Sequence, residues 1–261
     1  MLISVQSNSR AKTLIAVAIG ILAAALVPVD SPAGGLDFLL PGISLRSVEF
    51  ESGSSVKYMI VSESYVISDT SVVELAILES GGGYALIEVS TSPYPRILEE
   101  TVRVRMRLSE EVRRIETPEE FFPHVSRILV KDGDGPFQAP SPEDLEELEL
   151  ERMFLSSPED SLRVSLGREE VDTPAGSFLC DKKEIVKLKE SGVSLGGVEA
   201  VRMERERTIL WLSPDIPFWG LVRSRIERES STTLVDDPGF RQEPRRSATE
   251  SVLISFSKSS N

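Results

Sequence analysis

The chain has 261 residues, of which 40% are hydrophobic and 27% are charged, a composition typical of a globular protein. It contains 42 acidic and 29 basic residues, which gives a net charge of −13. This acidic excess argues against nucleic-acid binding, which needs clustered Lys and Arg. It also argues against broad electrostatic binding to anionic lipid headgroups, but it does not exclude apolar contact with lipid tails.

The N-terminus has the layout of a secretory signal peptide. Two basic residues precede an almost wholly apolar run at residues 14–27, and small residues with the spacing of a signal-peptidase site precede Gly34. The run is shorter than the ~20 residues that a spanning helix normally needs. We predict a signal peptide, or alternatively an N-terminal membrane anchor, over residues 1–33 and a single β-rich domain over residues 34–261.

The only cysteine, Cys180, lies far from the apolar run. It leaves no intramolecular disulfide and no lipidation site beside the signal. An exported domain without disulfides must be stabilised by its core. These features predict a protein of the bacterial periplasm or envelope, which an uncleaved N-terminal segment could tether to the membrane.

Most of the remaining sequence alternates short apolar runs with turns rich in Gly and Pro, which predicts about nine or ten strands. In residues 101–108, four apolar residues alternate with Arg103, Arg105 and Arg107. This alternation predicts one buried and one wet face of an antiparallel sheet. A nucleic-acid reader could use such an arginine row, but the acidic total favours a solvated strand face. The runs with strand character are residues 47–51, 55–62, 65–79, 84–90, 101–108, 162–166, 169–172, 177–189, 198–212, 221–229 and 251–257.

Two segments predict helices. The first could start at Thr117 and extend through Val125. The second is predicted over residues 142–155, where Ser141 can cap the helix, Pro142 suits its first position and early carboxylates complement its dipole. Its thin apolar stripe should lie on the sheet, and its acidic remainder is a solvated face or a partner-docking element. We therefore predict a mainly β fold, one large curved antiparallel sheet or unclosed half-barrel with one or two covering helices.

Residues 208–229 contain both tryptophans of the chain, Trp211 and Trp219. They read as a strand, a turn broken by Pro214 and Pro217, and a second strand, because proline cannot donate to a central ladder. Phe218 and Trp219 then precede Gly220. The pattern predicts a sharp corner between two strands with a large apolar content, and it contains no catalytic constellation.

Two motifs together resemble a known group of proteins. Residues 172–180, Asp-Thr-Pro-Ala-Gly-Ser-Phe-Leu-Cys, are similar to the T-P-A-G-x-F-x-C turn of uncharacterised bacterial envelope proteins. Residues 210–222 are similar to the W-x-S-x-x-V-P-x-W-G-L-V segment of the same group, which resembles the lipoprotein-carrier superfamily. The resemblance implies an unclosed half-barrel with an apolar cavity for acyl chains. The resemblance covers about residues 171–228 and transfers no catalytic residue. The chain differs from many such carriers in that it has no lipidation cysteine.

The sequence offers little for catalysis or metal binding. His124 is the only histidine, and no Gly-x-Ser-x-Gly motif accompanies it. Asp132, Asp134 and Glu143 faintly resemble a calcium loop, but Phe137 stands where that loop needs glycine. One histidine and one cysteine argue against a zinc site. A buried Cys180 is more typical of a small hydrophobe than of a reactive thiol. We predict no enzyme activity, no metal and no cofactor.

Aromatic residues at the corner and at the first motif are candidates for the wall of a ligand cavity, since such walls are largely aromatic and aliphatic. The candidates are Phe178, Trp211, Phe218 and Trp219, which could equally belong to a filled core. The leading prediction is a non-enzymatic envelope protein that binds a lipid, a lipoprotein acyl chain or another apolar ligand in a half-barrel cavity. The alternative is an envelope structural or interaction module with a filled core, an envelope protein partner and no ligand. A hydrolase is the weakest reading.

Overall fold

The computed structural model describes residues 50–64, 68–95, 101–109, 111, 124–140, 161–195, 198–218, 220–235 and 243–258. These residues form ten β-strands in one antiparallel sheet, ordered β5-β4-β3-β2-β1-β10-β9-β8-β7-β6. The strands are β1 (Ser55–Ser64), β2 (Ser68–Gly81), β3 (Tyr84–Pro93), β4 (Val102–Ser109), β5 (Val125–Asp132), β6 (Ser161–Thr173), β7 (Gly176–Leu195), β8 (Val198–Leu212), β9 (Leu221–Leu234) and β10 (Arg245–Ser257).

The sheet consists of two meanders that meet at its centre. Strands β1 to β5 follow one another to one edge, and β10 back to β6 follow one another to the other edge. The meanders are joined by the pairing of β1 with β10, in which Ser55 lies opposite Ser257 and Tyr58 lies opposite Leu253. Strands β5 and β6 are consecutive in sequence but lie at opposite edges of the sheet.

The sheet curls strongly without closing. Strands β6 and β10 are four steps apart in the sheet, which would separate them by about 19 Å if the sheet were flat. Their Cα atoms nevertheless come within 8 Å of each other. Tyr58 on β1 reaches past β10 to donate a hydrogen bond to the Leu221 carbonyl of β9 at 2.9 Å. The two edge strands do not pair within the described residues, so the predicted curved, unclosed antiparallel sheet is confirmed.

Alternation along the strands produces the core. In β4, Val102, Val104, Met106 and Leu108 are at most 2% exposed, and the intervening arginines face solvent to varying degrees, as predicted. Strands β2 and β3 show the same period over Val73, Leu75, Ile77, Ala85, Ile87 and Val89. Because the most buried inward positions of these strands are apolar, one continuous core runs from this meander to the corner between β8 and β9.

Strand β5 was not predicted. The first predicted helix was extended through Val125, and this end of it is wrong because Val125 begins β5 and pairs with Leu108 of β4. The rest of that helix apart from His124, and all of the helix predicted over residues 142–155, lie outside the described residues. So do residues 1–49, which contain the predicted signal or anchor. Among the residues described, no helix is both long enough and apolar enough to cross a membrane.

Other boundaries also differ from prediction. The two strands predicted at residues 162–166 and 169–172 are one strand, β6, interrupted by a bulge at Gly167, whose φ is +88°. The loop predicted after Lys189 is strand, because β7 pairs with β8 as far as Leu195. Residues 50 and 51, predicted as the end of a first strand, are not in a strand.

Candidate functional site

The predicted ligand residues that the structure describes belong to one apolar cluster. Phe178 is 9% exposed and Trp211 is 7% exposed, and Phe218 packs against the same core with a partly buried ring. The Phe178 ring meets Phe256 of β10 edge-on, with 5.9 Å between ring centroids. Trp219 lies outside the described residues. The structure thus brings three of the four candidates into one cluster, and their role in ligand binding remains a prediction.

The corner between β8 and β9 is built on a close backbone approach. The Ser213 amide donates to the Gly220 carbonyl at 2.7 Å, and the Ile216 amide donates to the Ser213 carbonyl at 3.3 Å. Gly220 has a φ of +75°, and a Cβ placed on it would lie 2.6 Å from the Ser213 carbonyl oxygen. Only glycine fits there without a shift of the backbone. Phe218 also has a positive φ, of 66°, so the corner holds its aromatic segment in a restricted conformation.

Trp211 lies among charged groups. Lys182 Nζ and Arg223 Cζ lie 5.0 Å and 5.3 Å from its ring centroid, and its indole N–H donates to Glu169 of β6. Side chains alternate along a strand, so Trp211 faces away from its fully buried neighbour Leu210. Cations over an indole face are attracted by the ring quadrupole. The arrangement ties the corner to the edge strand β6 across β7.

Glu169 is the acceptor in this cluster. Its carboxylate also accepts from Lys182 Nζ at 3.0 Å. The hydrogen bond from Trp211, followed by the one from Lys182, holds the pKa of Glu169 below its ordinary value. Both bonds favour the ionised carboxylate. Arg223, the other cation beside the indole, pairs with Glu250 at 2.6 Å.

A groove of about 740 Å³ lies on a polar part of the sheet, and sequence reasoning missed it. Arg207 bonds Glu184 at 2.5 Å and Glu227 at 3.5 Å, and the bond to Glu184 raises the pKa of Arg207. The alternating Arg and Glu residues of β8 and β9 were a visible signal for such a surface. The groove is lined by Glu63, Glu184, Arg205, Arg207, Glu227, Arg228, Glu229, Arg246, Ser247 and Ala248. Its mixed charge suits a solvated ion-pair network better than the binding of an acyl chain.

The two side chains most suited to covalent chemistry are not brought together. Cys180 is fully buried, and burial raises the pKa of its thiol to about 11, with Glu169 and Asp181 adding to the shift. A thiol in that state is a poor nucleophile at neutral pH. His124 lies immediately before β5, at the opposite edge of the sheet from the meander that contains Cys180. Within the described ranges, no three His, Cys, Asp or Glu side chains are grouped to hold a metal ion.

No protein-family model matches the chain, and no curated protein matches it. Several solved structures are similar to it. An inferred exported protein with a YmcC-like fold from Bacteroides fragilis is 11% identical, with a TM-score of 0.33 over 80% of this chain and 97% of that chain. An inferred lipoprotein from Parabacteroides distasonis is 12% identical, with a TM-score of 0.35 over 83% of this chain and 100% of that chain.

An inferred outer-membrane lipoprotein-sorting protein domain from Vibrio parahaemolyticus is 12% identical, with a TM-score of 0.23 over 81% of this chain and 87% of that chain. TM-scores of this size do not carry a fold or a function from those proteins to this chain.

Proposed function

We propose that this chain is a non-enzymatic protein of the cell envelope that binds a lipid, a lipoprotein acyl chain or another apolar ligand against the apolar face of its curled sheet. The observation that supports this most directly is the composition of that face. Along β2, β3 and β4 the inward positions from Val73 to Leu108 are aliphatic or methionine where they are most buried. The predicted signal peptide supports an exported location.

The physical basis for binding would be burial of the ligand's apolar surface. A chain that buries about 300 Å² gains roughly 7 kcal/mol at about 25 cal/mol per Å². Ordering the ligand and the protein side chains subtracts from that gain. The two edge strands do not pair within the described residues, so no ladder between them closes the apolar face off from a ligand. No covalent step is needed, which agrees with the distance in the sheet between His124 and Cys180.

A second candidate function is an interaction module with a filled core. It is favoured by the low exposure of Phe178 and Trp211 and by the fixed partners of the Trp211 indole. In that case the aromatic cluster stabilises the corner, and a partner protein is recognised elsewhere on the surface. The two candidates differ in whether an apolar ligand is bound.

The test is native mass spectrometry on protein isolated from its own envelope, followed by solvent extraction of whatever remains bound. The proposal predicts an adduct of lipid size in a fixed ratio to the protein. Addition of fatty acid to stripped protein should then change the fluorescence of its two tryptophans. A bare chain with no response to added fatty acid would overturn the proposal and favour the filled-core module.

A matched pair of variants locates the ligand. Phe178→Leu changes a core residue with 9% exposure, and Tyr94→Leu changes an aromatic residue with 61% exposure. The proposal predicts weaker fatty-acid binding for Phe178→Leu and unchanged binding for Tyr94→Leu, with both proteins checked for folding by thermal melts. Equal binding by all three proteins would place the ligand away from the aromatic cluster.

A further inference from the structure

The face of β4 and β5 that points away from the core concentrates positive charge. Arg107 lies directly opposite Arg127, and Arg103 lies directly opposite Lys131. We call these four residues the β4–β5 basic patch. Arg107 and Arg127 are exposed, and Arg103 and Lys131 are half-buried. Like charges directly opposite each other across two strands destabilise a sheet.

Within the described ranges, neighbouring carboxylates do not neutralise this patch. Glu88 of β3 reaches the same face, but its carboxylate accepts a hydrogen bond from Arg105 Nε at 2.6 Å. Among the residues that the structure describes, no carboxylate lies within ion-pair distance of Arg103, Arg127 or Lys131. In the charged groove, by contrast, Arg207 contacts two glutamates. In a protein with a net charge of −13, these cations thus have no carboxylate partner among the described residues.

Aromatic rings accompany these cations. The Arg107 guanidinium stacks on Tyr84 at 3.8 Å, and the Arg105 guanidinium stacks on Phe137 at 3.9 Å. Tyrosine side chains such as Tyr84 are typical of the headgroup level of membranes, because they join an apolar ring to a polar hydroxyl. Guanidinium groups match the geometry of phosphate oxygens. The charged groove lies elsewhere, on residues of β1, β7, β8, β9 and β10, so this surface is distinct from it.

We propose that the β4–β5 basic patch docks the protein onto the anionic phospholipid headgroups of a membrane surface. The net charge argues against broad binding of the whole molecule, so contact is confined to this patch. Cations near such a surface contribute about 1 kcal/mol each, and salt screens that attraction. Binding should therefore be weak, reversible and sensitive to salt. It does not depend on whether an apolar ligand occupies the other face, although it relies on the predicted export of the chain.

The test is co-sedimentation of the protein, as isolated from its own cells, with two kinds of vesicle. One is made of phosphatidylcholine alone, and the other is phosphatidylcholine mixed with phosphatidylglycerol. An apolar N-terminal segment would bind both kinds of vesicle equally. The ratio of binding to the two kinds therefore reports only the effect of the anionic headgroups. The test variant is the double substitution Arg127→Gln, Lys131→Gln. The matched control is Arg202→Gln, Arg246→Gln, which removes the same charge from exposed residues of the other meander.

The proposal predicts preference for anionic vesicles, about 20- to 30-fold weaker binding by the patch variant, and near-native binding by the control. The patch variant should melt at or up to about 2 °C above the unchanged protein, because a repulsive pair is removed. Equal losses in both variants would overturn the proposal, since they would show a charge effect without a site. Binding to polyglutamate but not to anionic vesicles would overturn it in favour of an acidic protein partner.

Discussion

The close contact at the corner makes Gly220→Ala the most informative single substitution. Gly220 has a φ of +75°, and this left-handed region costs an L-residue about 1–2 kcal/mol. The added Cβ would also lie 2.6 Å from the Ser213 carbonyl oxygen, well inside the roughly 3.5 Å of an unstrained contact. Ser213 has little room to move, because its amide is bonded to the Gly220 carbonyl at 2.7 Å. We expect a total loss of roughly 3–5 kcal/mol in the free energy of unfolding.

Two other glycines separate the steric and conformational contributions. Gly53 has a similar φ, of +86°, but no atom lies within 4 Å of the position that an added Cβ would take, so Gly53→Ala should lose only about 1–2 kcal/mol. Gly192 lies inside β7 without a positive φ and with the same open space. Gly192→Ala should be neutral or should stabilise the fold by up to about 1 kcal/mol.

Equilibrium unfolding in urea measures all three variants. For a protein of this size a slope of roughly 3 kcal/mol per molar urea is expected, so Gly220→Ala should lower the midpoint by about 1 M or more. Gly53→Ala should lower it by about 0.3–0.7 M. A Gly220→Ala protein as stable as the Gly53→Ala protein would refute the reasoning, since the contact with Ser213 would then have no energetic effect.

Three further predictions concern buried or charged side chains. Tyr58→Phe removes the hydrogen bond to the Leu221 carbonyl and should lose about 1–2 kcal/mol in urea unfolding, whereas the exposed control Tyr94→Phe should change stability by less than about 0.5 kcal/mol. Because the pKa of Glu169 is lowered from 4.5, its stabilising effect is complete above that pH and is lost as the pH falls through the lowered value. The melting-temperature difference between the unchanged protein and Glu169→Gln should therefore shrink from about pH 7 to about pH 3, and a constant difference would contradict the cause given. Cys180, with its pKa raised to about 11, should resist iodoacetamide near pH 8 until denaturant is added, and rapid labelling of the folded protein would contradict its burial.

The sequence was most informative where its period was clean. Strand β4 alternates without interruption from Val102 to Leu108, and both its span and its buried face were predicted. Strand β5 was missed because Ile128, Leu129 and Val130 are consecutive apolar residues, which hide a period of two. A helix-start signal upstream of it also extended the helix prediction to Val125. Local sequence therefore predicted a strand correctly only where the apolar residues followed a single period along it.

Contacts between distant strands were beyond the reach of sequence patterns. Trp211 and Glu169 are 42 residues apart and meet only because β6, β7 and β8 are neighbours in the sheet. The charged groove likewise combines residues of β1, β7, β8, β9 and β10, which no local spacing reveals. The opposition of Arg107 and Arg127 depends on the pairing of β4 with a strand that was not predicted. The order and register of the strands determine the Trp211–Glu169 contact, the charged groove and the opposition of the two arginines.

The central seam between β1 and β10 has a consequence for how the chain folds. All the other neighbouring strands are also consecutive in sequence, whereas Ser55 and Ser257 at the seam are 202 residues apart. Closing a loop of that length costs roughly 3 kcal/mol more chain entropy than closing a short hairpin. We expect the two meanders to form first and the seam last. Until then β1 and β10 are bare edges, so the two most central strands of the finished sheet are the ones most open to pairing with another chain during folding.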